Sequence, residues 1–312
     1  MQQTPRQSAK AEEQNLLSGS LASPHDTRPF WQCRDRRVLL DSPLIMGILN
    51  VTPDSFSDGG CYTEMGRALE HAQAMVDAGA DILDIGGEST RPGAPHVDEA
   101  EELKRVLPVI RELAKTLTIP LSIDTRHAHV AQCAIDAGAS IVNDVASFTG
   151  DQAMASVVRE TGVGLVLTHT RGTPQEMMTR ALYDDVVATV EADLQQALAF
   201  ALEHDIAREA CVVDPGIGFA KGTADNLQLL AAIQRLRGVA PVLIGASRKR
   251  FIGELCNVPD AAKRVSGSLC VAVWSVLQGA SIVRVHDVKE TKESLAMALA
   301  LKTTYIRGLK AC

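Results

Sequence analysis

Aromatic residues are scarce. Phe, Tyr and Trp make up 4% of the 312-residue chain, which leaves little for the ring platforms on which single-stranded nucleic acid stacks. A surplus of positive charge is also missing: 31 Lys and Arg stand against 38 Asp and Glu, a net charge of -7. This excludes a non-specific grip on nucleic acid or an anionic membrane. Any phosphate must be met locally, by a few placed cations, backbone amides or a metal ion. No run approaches the roughly 18 apolar residues of a membrane span, and Glu12 and Glu13 stand where a signal peptide needs an apolar stretch. Paired cysteines are lacking too, because the seven (33, 61, 133, 211, 256, 270 and 312) are odd in number and include no CxxC. They read as reduced thiols of a cytoplasmic protein, not as a disulfide framework or zinc site. Cys133, Cys211 and Cys270 lie among apolar residues and are expected in the core.

What the chain does have is apolar residues, 46% of the total, and a repeating unit. Residues 1–28 are polar and aperiodic and read as a flexible extension; residues 29–312 read as one globular domain, entered through a short hairpin. Within that domain AGADILDIGG (78–87), AGASIVNDVAS (137–147) and GASIVRVHD (279–287) share one pattern. Gly suits the left-handed position after a helix, and the continuous apolar run suits a parallel strand buried on both faces. Eight such runs are present, at 44–49, 81–85, 119–123, 140–143, 163–168, 210–213, 241–245 and 281–285. Between them, 64–79, 97–115 and 184–204 carry apolar residues at helical spacing, with Pro108 expected to kink the second. Strands alternating with helices predict an α/β fold, a single (β/α)8 TIM barrel; a doubly wound sheet is the structural alternative.

Barrel active sites lie at the C-terminal ends of the strands. Those ends carry Asn50, Asp84, Asp124, Asn143 with Asp144, His169, Asp214, Ser247-Arg248-Lys249, and Arg284 with His286. A mere scaffold needs no polar group at every strand end, so a polar pocket is expected. Asp124 and Asp214 can bind a divalent metal, act as acid and base, or accept paired N–H donors from a heterocycle; a rim salt bridge is the bland alternative. Asn143 between them favours the heterocycle, since an amide complements a lactam edge in both directions.

Two loops, NVTPDSFSDGG (50–60) and GGESTRPGA (86–94), have the composition of lids. Asn50 offers an oxygen to Mg²⁺, with waters and phosphate oxygens completing an octahedron. Thr90 and Arg91 add a hydroxyl and a guanidinium. Arg284 and His286, two apart on a strand, point the same way and form a cationic pair suited to a diphosphate. GASRKRFIGEL (245–255) opens a helix whose first amides suit an anion, while Lys249 reaches back into the mouth. In DPGIGFAKG (214–222), Gly216 and Gly218 let the backbone approach a ligand closely.

The runs MGILNVTPDSFSDGG, DIGGESTRPG, SIDT, IVND, DPGIGF, GASRK and RVHDVKE, in this order, resemble the dihydropteroate synthase family over roughly residues 44–308. The resemblance implies a (β/α)8 homodimer that joins 6-hydroxymethyl-7,8-dihydropterin diphosphate to 4-aminobenzoate with the help of Mg²⁺. It makes Asn50 the Mg²⁺ ligand and gives Asp124, Asn143, Asp214 and Lys249 to the pterin. Thr90, Arg284 and His286 fall to the diphosphate. Thr90, Arg91, Pro92, Ser247 and Phe56 fall to the aminobenzoate, with Phe56 and Asp58 in the loop closing over it. Asp124, Asp214, Lys249 and Arg284 are then the residues that carry catalysis. A methyltetrahydrofolate:corrinoid methyltransferase would share the pterin residues but lack the STRPG, SRK and RVH groups, and a silent paralogue would have lost Asn50, Lys249 or Arg284. A sugar-phosphate isomerase would show a strand-end Glu or Lys base and a glycine-rich phosphate loop after the seventh strand. One departure is LTHTRGTP, where the family has a Met-His-Met type sequence: Thr168 is smaller and more polar than the methionine expected against the pterin.

Overall fold

Each copy of the repeating unit forms a helix end, a turn and a buried strand. The computed structural model describes residues 27–51, 61–88, 97–173 and 175–310. In it Gly79, Gly138 and Gly279 follow helix ends at φ +98°, +122° and +97°, left-handed backbone that costs a Cβ-bearing residue about 1 kcal/mol or more. A hairpin of β1 (Phe30–Cys33) and β2 (Arg36–Leu39) comes first. Eight strands follow: β3 (Leu44–Asn50), β4 (Ile82–Gly86), β5 (Leu121–Thr125), β6 (Ile141–Asp144), β7 (Gly164–Thr168), β8 (Cys211–Asp214), β9 (Leu243–Ile244) and β10 (Ile282–Val285). All pair in parallel in the order β8-β7-β6-β5-β4-β3-β10-β9, and a parallel bridge between Val213 and Val242 joins the two edges. Neighbours follow chain order round the ring, without the reversal that a doubly wound sheet requires. The fold is a (β/α)8 barrel.

The helices α1 (Cys61–Asp77), α2 (Glu99–Thr116), α3 (Ala128–Asp136), α4 (Ala153–Thr161), α5 (Val186–Glu203), α6 (Thr223–Ala231), α7 (Ile233–Leu236), α8 (Arg250–Cys256), α9 (Val265–Leu277) and α10 (Val288–Lys310) lie outside the strands. α2 runs on unbroken through Pro108, its start capped by Asp98, which accepts from the Glu101 amide at 2.8 Å. Alternate strand residues serve two cores. Leu83, Ile85, Ile123, Val142, Leu165, Val213 and Val283 pack outward against the helices. Met46, Ile82, Ile141, Val166, Val212, Leu243 and Ile282 pack with one another and with Trp31, Cys33 and Val38 of the hairpin. The hairpin therefore plugs the N-terminal end. The Trp31 indole donates to the Ala210 carbonyl at 2.7 Å, and a Cβ on Gly164 would stand only 2.7 Å from the Cys33 sulfur.

Cys33 and Cys211 are buried and Cys133 is half-buried, but Cys270 is exposed, contrary to the core expectation. α9 carries no charged residue, and its serines Ser268 and Ser275 are buried, so its composition does not show which face is outward. Ala272 and Val276 turn inward, while Cys270, Trp274 and Leu277 remain outside. Beside it α10 exposes Met297, Leu301 and Tyr305 at four-residue spacing. Among the described residues no helix is long and apolar enough to cross a membrane. Of the extension expected over 1–28, residues 1–26 lie outside the described residues.

Candidate active site

One pleat above the apolar inner layer, the strands turn Asp84, Asp124, Asn143, Thr168, Asp214 and Arg284 toward the barrel axis, all buried or nearly so. Gly245 belongs to the same layer and keeps space open: a Cβ there would lie 3.5 Å from Asp214 Oδ2 and 3.8 Å from Arg284 Cβ. Arg284 is the hub. Its Nε donates to Asp84 Oδ2 and its Nη2 to Asp124 Oδ2, both at 2.5 Å. The same Asp84 oxygen accepts from the Asn143 amide at 3.1 Å, and Thr168 Oγ1 lies 3.4 Å from the Asn143 carbonyl oxygen. Burial works against the charge of Arg284, but Asp84 and Asp124 outweigh it and hold the guanidinium above its ordinary pKa. Burial pushes the Asp124 carboxyl up, and Arg284 opposes the rise.

Lys249 faces the other half of the mouth. Its ammonium donates to the Ile217 carbonyl and lies 4.2 Å from the Phe219 ring centroid. Burial brings it down to about 8, with Asp214 opposing. The turn before it is held from several sides. Arg248 has left-handed backbone, φ 58°; its amide donates to Ser268 Oγ at 2.9 Å and its side chain pairs with Asp287 at 2.5 Å. Such backbone costs about 1 kcal/mol or more and persists because the surroundings over-determine it. Asp214 accepts the Gly216 amide at 2.7 Å, and burial raises its pKa.

Gly216 must be glycine, since its φ is +66° and a Cβ would fall 1.9 Å from the His169 carbonyl oxygen. Beneath this loop Lys221 is 3% exposed. It donates to His169 Nδ1 at 2.8 Å and to the Phe219 carbonyl at 2.9 Å, so His169 Nε2 carries the proton toward Asp193, 3.0 Å away. Burial lowers Lys221 to about 7 and His169 to about 4. The pair ties the Asp214 loop to the end of β7. On α2, Glu102 is 1% exposed and burial lifts its carboxyl to about 7.

The structure therefore brings together Asp124, Asn143, Asp214, Lys249 and Arg284. Arg284 and His286 are not joined as a pair on one target: Arg284 turns to the carboxylates, while His286 Nδ1 sits 3.0 Å from Ser247 Oγ. Asn50 closes β3, half-buried, and among the described residues no group of three or more His, Cys, Asp or Glu could enclose a metal ion. Thr90, Arg91, Pro92, Phe56 and Asp58 lie outside the described residues. Sequence reasoning placed Asp84 at a strand end without a role, because its partners are 59 and 200 residues away. It missed the Lys221–His169 pair and Glu102, which reads as an ordinary acid in the first turn of a helix.

Residues 46–286 match the family model described as pterin binding enzyme. The dihydropteroate synthase of Escherichia coli (strain K12) is 44% identical over 262 residues, covering 84% of this chain and 92% of that one. Among solved structures, the dihydropteroate synthase of Xanthomonas albilineans with 4-aminobenzoic acid has 43% identity and a TM-score of 0.84, covering 88% of this chain and 99% of that one. The structure of the same organism's enzyme in complex with 7,8-dihydropteroate has 41% identity and a TM-score of 0.80, with the same coverage.

Proposed function

Because the chain belongs to the pterin-binding enzymes and, within them, to the dihydropteroate synthases, we propose that its strand-end site joins 6-hydroxymethyl-7,8-dihydropterin diphosphate to 4-aminobenzoate, giving 7,8-dihydropteroate and pyrophosphate. The observation that carries this reading is the convergence of Asp124, Asn143, Asp214, Lys249 and Arg284 on one open layer of the barrel. The two carboxylates and the amide offer acceptors and a donor to the edge of a fused heterocycle. With so few aromatic residues, recognition of the ring rests on these hydrogen bonds, with the Phe219 ring beside Lys249.

Arg284 and His286 take the diphosphate, and as the exocyclic C–O bond breaks heterolytically the electron pair leaves with that group. Asp124 and Asp214 place negative charge beside the pterin cation that remains, and the two loops exclude water that would capture it. The aromatic amine then attacks the exocyclic carbon and loses a proton. That amine is neutral at pH 7, which is why no Ser-His or Cys-His pair is needed. Ser247, with Thr90, Arg91, Pro92 and Phe56, forms the aminobenzoate side.

Magnesium fits this donor set in one way. Mg²⁺ keeps several waters and takes phosphate oxygens readily, so a single neutral oxygen from Asn50 suffices where the diphosphate supplies the rest. A bound Mg²⁺ would supply positive charge to the leaving group. The protein works in the cytoplasm as a homodimer, and the exposed Trp274, Leu277, Met297, Leu301 and Tyr305 on adjacent helices supply the apolar face for a second copy. Sedimentation should give twice the 33.4 kDa chain mass; a 33.4 kDa species at micromolar concentration would exclude the dimer. The function is tested by pyrophosphate release from the pterin diphosphate with and without 4-aminobenzoate. Release that depends on the amine, with dihydropteroate as product, is expected; no amine-dependent product would overturn the reading.

A further inference from the structure

The Asp84 carboxylate is fully buried, at 0% exposure, and cannot touch a ligand. Yet its Oδ2 holds one group from each side of the pocket, Arg284 by Nε at 2.5 Å and Asn143 by Nδ2 at 3.1 Å. Its Oδ1 has no hydrogen-bond partner among the described residues. A rim salt bridge would need one carboxylate for one guanidinium. Here Arg284 has two, and the second is Asp124, which the proposed reading gives to the pterin.

We propose that Asp84 is a positioning residue that couples the two halves of the substrate by holding Arg284 on Asp124 until the diphosphate draws the guanidinium away. The proposal rests on the pterin diphosphate reading of the site. In the structure, Arg284 and Asp124 occupy on one another the groups that the two halves require. An Asp124 oxygen engaged by Nη2 is one acceptor fewer for pterin N–H groups, and a guanidinium between two carboxylates is partly neutralised toward an anion. A diphosphate carries more charge than either carboxylate and competes for Nη2. The Nε–Asp84 bond meanwhile fixes the root of the guanidinium, so the terminal nitrogens pivot and the side chain is not released. Asp124 then regains its oxygen for the pterin. Asn143 keeps its orientation throughout, because its amide nitrogen stays on the same Asp84 oxygen. Coupling of this kind is reciprocal, so each half of the substrate tightens the other by the same factor.

The test is calorimetric titration at pH 8 with 6-hydroxymethyl-7,8-dihydropterin lacking its diphosphate, with and without pyrophosphate and Mg²⁺. The wild-type protein should bind the pterin about fivefold or more tightly when pyrophosphate is present, and the converse titration should give the same factor. Asp84→Asn keeps the size and one acceptor oxygen for Arg284 and Asn143 but removes the charge. It should unfold cooperatively near the wild-type temperature, yet show a coupling factor close to one and a lowered kcat with KM for 4-aminobenzoate unchanged. Should that variant not fold, Arg284→Gln serves instead: loss of coupling in it supports the pivot, and retained coupling overturns it. Full coupling in folded Asp84→Asn overturns the role of Asp84. Wild-type protein that makes dihydropteroate without coupling overturns this inference alone, whereas absence of both pterin binding and product overturns the functional reading with it.

Discussion

The two ends of the barrel are built from the same strands, one pleat apart. Ile82 and Asp84, Ile141 and Asn143, Val166 and Thr168, Val212 and Asp214, and Ile282 and Arg284 are neighbours two residues apart on one face. The first member of each pair packs against Trp31, Cys33 and Val38 of the hairpin; the second faces the open mouth. At the lower end the packing is mostly apolar, with the Trp31 indole satisfied by the Ala210 carbonyl, and burial is favourable. At the upper end burial lifts Asp124 and Asp214, lowers Lys249, and leaves Asp84 Oδ1 without a partner among the described residues. Buried ion pairs of this kind add little to stability and can cost it. The fold is thus held by the lower layer and the outer shell, while the upper layer is kept for chemistry.

This separation can be broken by experiment. Trp31→Ala should remove about 3–5 kcal/mol of unfolding free energy, measured by denaturant titration, with kcat of the folded protein within about twofold of wild type. A large loss of kcat there would show that the two ends are not independent. Arg284→Ala should do the reverse, lowering amine-dependent pyrophosphate release about 100-fold or more in a protein that still unfolds cooperatively. Wild-type turnover would remove Arg284 from the site. The smallest effect concerns pH. Folded protein keeps the Glu102 proton up to about 7, whereas the unfolded chain loses it near the ordinary 4.5. Between these values the folded state binds more protons, so its stability falls as pH rises through the window. Glu102→Gln should cancel that fall, gaining about 2 kcal/mol on wild type between pH 4.5 and 7. Parallel pH curves for the two proteins would show that Glu102 does not titrate differently on folding.

Much of this was legible in the chain itself, for definable reasons. All eight barrel strands lie over the apolar runs, because strands buried on both faces leave a continuous signal, and strand ends are where barrels keep their polar groups. Side-chain partnership was not legible. Nothing local distinguishes Asp84 from any strand-end acid, since Arg284 is 200 residues away. The Lys221–His169 bond spans 52 residues across the ring, and no periodic pattern records it. Cys270 was misjudged for a different reason: α9 has no charged residue and buries Ser268 and Ser275, so no polar face says which side is outward.

The hairpin plug has a consequence for how the chain reaches this state. Trp31 is among the first residues of the domain to be synthesised, yet its hydrogen-bond acceptor, Ala210, lies 179 residues later. At ribosomal speeds of about 5–20 residues per second, that acceptor emerges roughly 10–35 s after the indole. Contacts so distant along the chain are slow to form because loop closure precedes their reward. The strand pair that seals the barrel floor is therefore made early and docked late, and during that interval its indole is the surface for which a chaperone or a neighbouring nascent chain would compete.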